Sequence, residues 1–246
     1  MKLIKPYYEI RTPINGEEIL IAIEQAARTC YKSEGKIEIQ ETPYTDGVHS
    51  IVVGYSRKAI SARELIPKLM NRNHEAMLEF GGMINVLFVC DRGVSHELVR
   101  HRVASFAQES TRYCNYSKGE HITFIIPEWL NIPEGIYTNI ASLLKACKEK
   151  ENNDDGEIGR FGFNLLQCES SYNHLFKLGW TPQQARSILP NSLKTEINVS
   201  ANIREWRHIL RLRTAKTAHP QMREIMQPLL NEFKSKIPIL FDDINV

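Results

Sequence analysis

Between Arg100 and Tyr113 the chain reads Arg-His-Arg-Val-Ala-Ser-Phe-Ala-Gln-Glu-Ser-Thr-Arg-Tyr. Three arginines, a histidine and two serines stand among apolar side chains, with no lysine. Arginine offers a planar fork that meets phosphate or carboxylate through two bonds and stays charged when partly buried, so this run reads as an anion pocket and not as a solvated basic tail. A second reading needs no ligand. A helix over Val94–Arg102 would put Arg100, His101 and Arg102 in its last turn, where cations oppose the partial negative charge of the helix end.

A further helix, expected over residues 201–217, carries Arg204, His208 and Arg213. Arg204 and His208 are four apart and share a face, whereas Arg213 is nine from Arg204 and falls on the opposite side at 3.6 residues per turn. If all three bind ligand, the helix lies between two sites; the alternative is a solvated basic face. Other chemistries lack their patterns. There is no Gly-x-Gly-x-x-Gly fingerprint and no phosphate-loop sequence. His96 and His101 flank Glu97 but miss the four-residue spacing of a helical zinc site, so no metal is expected.

Arg100-His101-Arg102 followed after seven residues by Ser110 and Arg112 resembles the signature of the flavin-dependent thymidylate synthases. His74-Glu75 with Leu78-Glu79, Arg186-Ser-Ile-Leu-Pro190, Asn202-Ile-Arg204, His208 and Leu212-Arg213 fall in that family's order, and the likeness spans about residues 20–230. It implies conversion of dUMP to dTMP, with methylenetetrahydrofolate as carbon donor and FAD, refilled by NADPH, as hydride source. It also implies a cytoplasmic homotetramer with flavin at subunit junctions, which agrees with the helical wheel.

By the same resemblance, Arg100, His101, Arg102, Gln108, Glu79, Asn202, Ile203, Arg204 and His208 hold FAD. The nucleotide meets Glu97, Leu98, Val99 and Arg100, then Gln108, Glu109, Ser110, Thr111 and Arg112, with Arg186 and Arg213. Arg213 is expected to face the uracil ring and favour ionisation at N3. His74 is placed near flavin and folate, or else is simply a packed or exposed histidine. Ser110 joins the catalytic set as a hydrogen-bond donor, since no histidine–carboxylate relay is positioned to make it a nucleophile. Three residues depart from the pattern: Ala76 stands where a hydroxyl is usual, Phe80 where histidine is common, and Glu97 where glutamine is frequent. A glutamate near a phosphate is repulsive unless it turns to the sugar or pairs with an arginine.

Among the elements that must carry these residues, 2–10 read as extended, 12–16 as a turn, 17–31 and 61–72 as helices, and 33–57 as a loop or hairpin. Met83–Cys90 and His121–Ile126 are short apolar runs that serve as central strands. Helices are expected over 134–150 and 158–178, separated by a polar surface turn at 148–156, then over 181–188, 201–217 and 220–236, with Pro228 as a kink. The fold class is α+β: one domain over 1–246, with a central, mainly antiparallel sheet flanked by helices.

The 246 residues carry a net charge of +2, with 42% hydrophobic and 24% charged residues, ordinary for a globular protein. Five cysteines without a Cys-x-x-Cys pair suggest a reduced compartment, and neither a signal peptide nor a membrane-spanning run is evident. A nucleic-acid-binding protein using the same arginines on phosphates remains an alternative. Near-zero net charge, absent lysine clusters and few aromatic residues around the motif count against it. A flavin-binding but catalytically idle relative is a third reading.

Overall fold

The computed structural model describes residues 1–45, 52–148 and 155–245. Its strands are β1 (Lys2–Ile4), β2 (Tyr7–Ile10), β3 (Ile39–Thr45), β4 (Val52–Ala59), β5 (Met83–Asp91), β6 (Ser105–Gln108), β7 (Thr123–Ile125), β8 (Gly135–Ile136) and β9 (Lys194–Asn202). The helices are α1 (Gly16–Cys30), α2 (Ala62–Asn71), α3 (Arg92–Leu98), α4 (Ile140–Lys148), α5 (Asp155–Lys177), α6 (Pro182–Ala185), α7 (Ile203–Arg213), α8 (Pro220–Lys236) and α9 (Pro238–Phe241). The expected mixture of helices with a mainly antiparallel sheet is present.

Four strands form the principal sheet in the order β2-β5-β9-β6, all antiparallel. β5 and β9 pair over their whole nine-residue lengths, from Met83↔Asn202 to Asp91↔Lys194. β9 alternates strictly, burying Thr195, Ile197, Val199 and Ala201. That period-two pattern is the half-buried strand signal, yet sequence reading left 194–200 unassigned and began a helix at 201. Thr and Ala weaken the apolar contrast, and Asn202 ends the strand and caps the helix at once.

Several expected boundaries shift for local reasons. The extended segment 2–10 divides at Lys5-Pro6 into strands of two different sheets. β7 is not central: it joins β1 and β8 in a three-stranded sheet, linked to the principal sheet by the Phe124↔Leu193 bridge. The helix expected from 134 begins only at Ile140, because Gly135 and Ile136 pair with β1, and Asn139 accepts from the Ser142 backbone N–H at 2.8 Å. Residues 33–57 form, where described, the β3–β4 hairpin after a short 3-10 turn. Most of the expected 148–156 surface turn lies outside the described residues.

One hydrophobic core fills the space between the principal sheet and α1, α2, α7, α8 and α9, with Ile23, Phe88, Val199, Leu229 and Phe233 inside. A second joins β1 and β7 to α4 and α5 through Leu3, Phe124, Leu143, Leu165 and Tyr172. Trp206 on α7 is fully buried in the first core. Its indole N–H donates to the Ile84 carbonyl at 3.0 Å, and its ring packs edge-on against Phe233. This fastens α7 to β5. Trp206→Phe leaves that carbonyl without its donor in a buried setting, and should lower unfolding free energy by about 1 to 3 kcal/mol in urea denaturation.

Candidate active site

The two helices that matter leave opposite ends of the β5–β9 ladder. Asp91, the last residue of β5, caps α3 by accepting from the Val94 N–H at 2.8 Å. Asn202, the last of β9, caps α7 by accepting from the Glu205 N–H at 2.9 Å. Side chains of this type satisfy otherwise orphaned donors at a helix start. Gly81 lets α7 begin close to the 3-10 turn Glu75–Gly81, for a side chain there would meet Ile203 at 2.7 Å. That approach brings Glu79 within 2.7 Å of Arg204.

α3 ends at Leu98, not at Arg102. The Arg-His-Arg triplet therefore lies beyond the helix, in tight turns closed by Arg100 N–H to Glu97 O and His101 N–H to Leu98 O. Simple neutralisation of a helix end does not account for it. Arg100 and Arg102 are exposed while His101 is buried, so the triplet splits, its guanidinium groups outward and its imidazole inward.

His101 is the junction of the site. Its Nε2 accepts from Arg213 Nε at 3.0 Å, its ring packs edge-on against His208 with centroids 5.6 Å apart, and its Nδ1 faces Glu205 at 3.6 Å. Burial, then the charge of Arg213 and His208 beside it, holds the imidazole down at about 4. The ring is neutral near pH 7. Donation from Arg213 to Nε2 assigns the ring proton to Nδ1. Burial in turn raises the Glu205 carboxyl against the opposing influence of His208 and Arg204.

Arg213 makes two further bonds, from Nη1 to Glu97 Oε2 at 2.5 Å and from Nη2 to the Glu97 carbonyl at 2.9 Å. The wheel separates Arg213 from Arg204 and His208, but α7 ends at Arg213. Its long side chain leaves the helix end and reaches the same histidine that touches His208. One chain thus joins what the wheel divides.

Two cavities flank this junction. One, of about 430 Å³, is lined by Glu79, Asn202, Arg204 and His208 together with Glu75, Val103, Glu205 and Arg211. The other, of about 500 Å³, is lined by Glu97, Arg213, Leu212 and the 217–219 segment. Four of the expected flavin residues, Glu79, Asn202, Arg204 and His208, thus share one cavity, whereas Ile203 is buried behind it. Arg213 and Glu97 share the second.

The Gln108–Arg112 segment is held from beneath. Gln108 Nε2 donates to Ser95 and Thr195 hydroxyls, and Glu109 accepts from Tyr116 and Lys194. Arg186 donates to the Thr111 hydroxyl at 3.3 Å. Ser110 Oγ accepts from the Arg112 backbone N–H; among the described residues no histidine or carboxylate bonds it. Leu98 and Ile203, both expected at the site, are fully buried, and within one chain no surface of either is open to a ligand. His74 is exposed and touches the Tyr31 hydroxyl at 3.5 Å, away from the Arg213 contacts.

Sequence reading missed Glu205, Ser95, Thr195, Lys194 and Tyr116. Burial of Glu205 beside a histidine depends on the angle at which α7 leaves the sheet, and nothing in local spacing announces it. It also missed that His101, Glu205 and His208 place potential metal-ligating atoms within 4.8 Å of one another. A cation there would have to displace the proton that Arg213 assigns to His101 Nδ1.

The arginines fall into two groups. Arg204, Arg207, Arg211 and Arg213 are each paired with a carboxylate, to Glu79, Asp243, Glu75 or Asp243, and Glu97 respectively. Arg100, Arg102, Arg112 and Arg186 have no carboxylate partner among the described residues, Arg186 bonding only the Thr111 hydroxyl. Those four exposed guanidinium groups suit phosphates, such as those of a dinucleotide like FAD.

The fold is α+β, and its arginine-rich site has two adjoining cavities. The family model described as thymidylate synthase complementing protein matches residues 17–239, and the chain belongs to that family. It is 30% identical over 241 residues to the flavin-dependent thymidylate synthase of Corynebacterium efficiens, covering 96% of this chain and 82% of that one. The enzyme of the same name from Geobacter sulfurreducens is 27% identical over 222 residues, covering 90% and 80%. In fold the chain resembles thymidylate synthase X of Helicobacter pylori, solved with FAD and dUMP, at TM-score 0.63 and 23% identity over 97% of this chain and 98% of that one. It also resembles the UMP/dUMP methylase PolB of Streptomyces cacaoi, at TM-score 0.66 and 19% identity over 98% and 96%.

The depressed His101 value has a stability consequence. A histidine whose native pKa lies below its unfolded value of about 6.5 contributes fully above that pH, and its contribution is lost as pH falls toward 4. Between those limits the wild type should lose on the order of 3 kcal/mol more unfolding free energy than His101→Gln, measured by urea titration at each pH.

Proposed function

We propose that the protein converts dUMP to dTMP, taking the carbon from methylenetetrahydrofolate and the hydride from FAD that NADPH has reduced. The observation that carries this reading is the pair of cavities, one lined by Glu79, Asn202, Arg204 and His208 of the residues expected to hold flavin and the other by Arg213, with His208 and Arg213 both in contact with buried His101. FAD, when bound, supplies the hydride that completes the methyl group. The chain's own residues bind, orient and stabilise charge.

In this reading Asn202, Arg204 and His208 line the flavin cavity, and Arg100 and Arg102 meet its phosphates. Ser110, Arg112 and Arg186 position the nucleotide, with Ser110 a hydrogen-bond donor. His74, exposed in one chain, is assigned to the flavin and folate side. Arg213 faces the uracil ring, where negative charge grows as the ring is attacked. His101, neutral and buried, fixes the guanidinium without adding a competing positive charge.

A homotetramer, working in the cytoplasm, completes the reading. Val103 and Tyr113 are 70% and 75% exposed and stand beside unpaired arginines, as expected of a surface that another subunit covers. No described helix is long and apolar enough to cross a membrane.

The direct test is dTMP formation from dUMP, methylenetetrahydrofolate, FAD and NADPH. Arg213→Ala should lower turnover at saturating dUMP by on the order of 100-fold while flavin stays bound, the scale of one preorganised charge-stabilising group. Arg213→Lys should recover little, because an ammonium lacks the fork that spans Glu97 and His101. Unchanged turnover with weaker dUMP binding alone would make Arg213 a binding residue. Variants that dissociate the assembly should release flavin, read by absorbance after gel filtration; a monomer with tightly held, stoichiometric FAD would contradict assembly at the flavin site.

A further inference from the structure

Glu205, in the first turn of α7, is 8% exposed, yet among the described residues no hydrogen bond reaches its carboxylate. His101 Nδ1 faces it at 3.6 Å, beyond bonding distance, and the neighbouring Arg204 is taken by Glu79 at 2.7 Å. Buried carboxylates are seldom left so; they are paired or they coordinate a metal ion. Around Glu205 stand two imidazoles, His101 from beyond α3 and His208 three residues further along α7. One nitrogen of each ring and one carboxylate oxygen lie within 4.8 Å of one another. Glu205 and His208 also line the cavity of about 430 Å³, so the cluster opens onto space.

We propose that His101, Glu205 and His208 form a site for a divalent transition-metal ion of the zinc class, held by two imidazoles and one carboxylate with a position open to the cavity. Glu-x-x-His is a spacing that helices use to present two metal ligands on one face. The spacing that argued against zinc weighed His96 with His101, whereas the fold sets His101 against α7. Imidazole nitrogens favour zinc, cobalt or nickel over magnesium and calcium, which take oxygen ligands. In the metal-free chain Arg213 donates to His101 Nε2, leaving the ring proton on Nδ1. Coordination through Nδ1 moves that proton to Nε2 and breaks this one bond, while Arg213 keeps both bonds to Glu97. The ion supplies the positive charge that Glu205 lacks. Flavin in the same cavity would cover the same side chains, so metal and flavin exclude each other. That exclusion rests on the proposed flavin site; the metal site does not.

The test titrates the full chain, freed of metal and flavin by dialysis against a chelator, with Co²⁺, whose visible absorption reports nitrogen ligands and a coordination number below six. The wild type should take up one equivalent with an intense band, displaced by Zn²⁺ and not by Mg²⁺. His208→Ala and Glu205→Gln should each weaken binding by about 100-fold or more, since loss of an outer-shell partner alone costs about 10- to 100-fold. Arg213→Met should tighten it about tenfold, because nothing then competes for His101 Nε2, a gain that a packing role would not give. No band in the wild type, or an undiminished one in His208→Ala, overturns the proposal; His208 is exposed, so this arm holds even if Glu205→Gln fails to fold. Added FAD should abolish the band. If Co²⁺ stays bound beside FAD, the flavin reading of this cavity fails and the metal site stands.

Discussion

The nine-residue register between β5 and β9 is the constraint on which the site depends. Because the strands are antiparallel, a helix leaving the end of β5 and one leaving the end of β9 start at opposite ends of the ladder. The C-terminal ends of α3 and α7 are nevertheless joined, since Arg213 bonds Glu97 and His101. A slip of one residue in the register would turn Val86, Phe88, Val199 and Ala201 from the core to the other face, so burial holds the meeting point in place.

His101 is where packing and chemistry coincide. Its burial makes protonation costly, and the neutral ring that results can accept from an arginine, which an imidazolium could not do. The surrounding core sets the electrical state of a polar junction, and that junction in turn fixes the direction of the guanidinium. Asp91 extends the same logic one layer down: burial raises its carboxyl while bonds from Val94 and Gly93 oppose the rise. Its two oxygens tie α3 to Gln221 on α8.

Much of this was legible in sequence where the signal is local. The apolar residues of α1 have helical spacing, β5 is a mainly apolar run interrupted at Asn85, and the arginine-rich turn stands out by composition. Residues 194–202 were harder, since Lys, Thr, Glu, Asn and Ser dilute an alternation that only Ile197, Val199 and Ala201 carry. β7 read as central because a buried strand in a small sheet has the same composition as one in a large sheet. At the site, Arg213 and Glu97 were named separately, but 116 positions separate them. Their bond depends on two helices ending together, which no spacing rule contains. The wheel's separation of Arg204 and His208 from Arg213 reappears as two cavities, while the long Arg213 side chain, leaving the end of α7, also reaches His101, a contact that a point on a cylinder does not contain.

The division of arginines into paired and unpaired groups also shapes how a charged molecule would arrive. A guanidinium locked to a carboxylate is a dipole, and its influence fades within a few ångströms. The exposed Arg100, Arg102 and Arg112 retain a field that reaches about one screening length, near 8 Å at physiological ionic strength. On the proposed reading, diffusional capture of a phosphate-bearing molecule would fall to such exposed groups and slow as salt rises. Arg213 would take part only after contact, so that encounter and chemistry would be given to different residues and added salt would act mainly on the first.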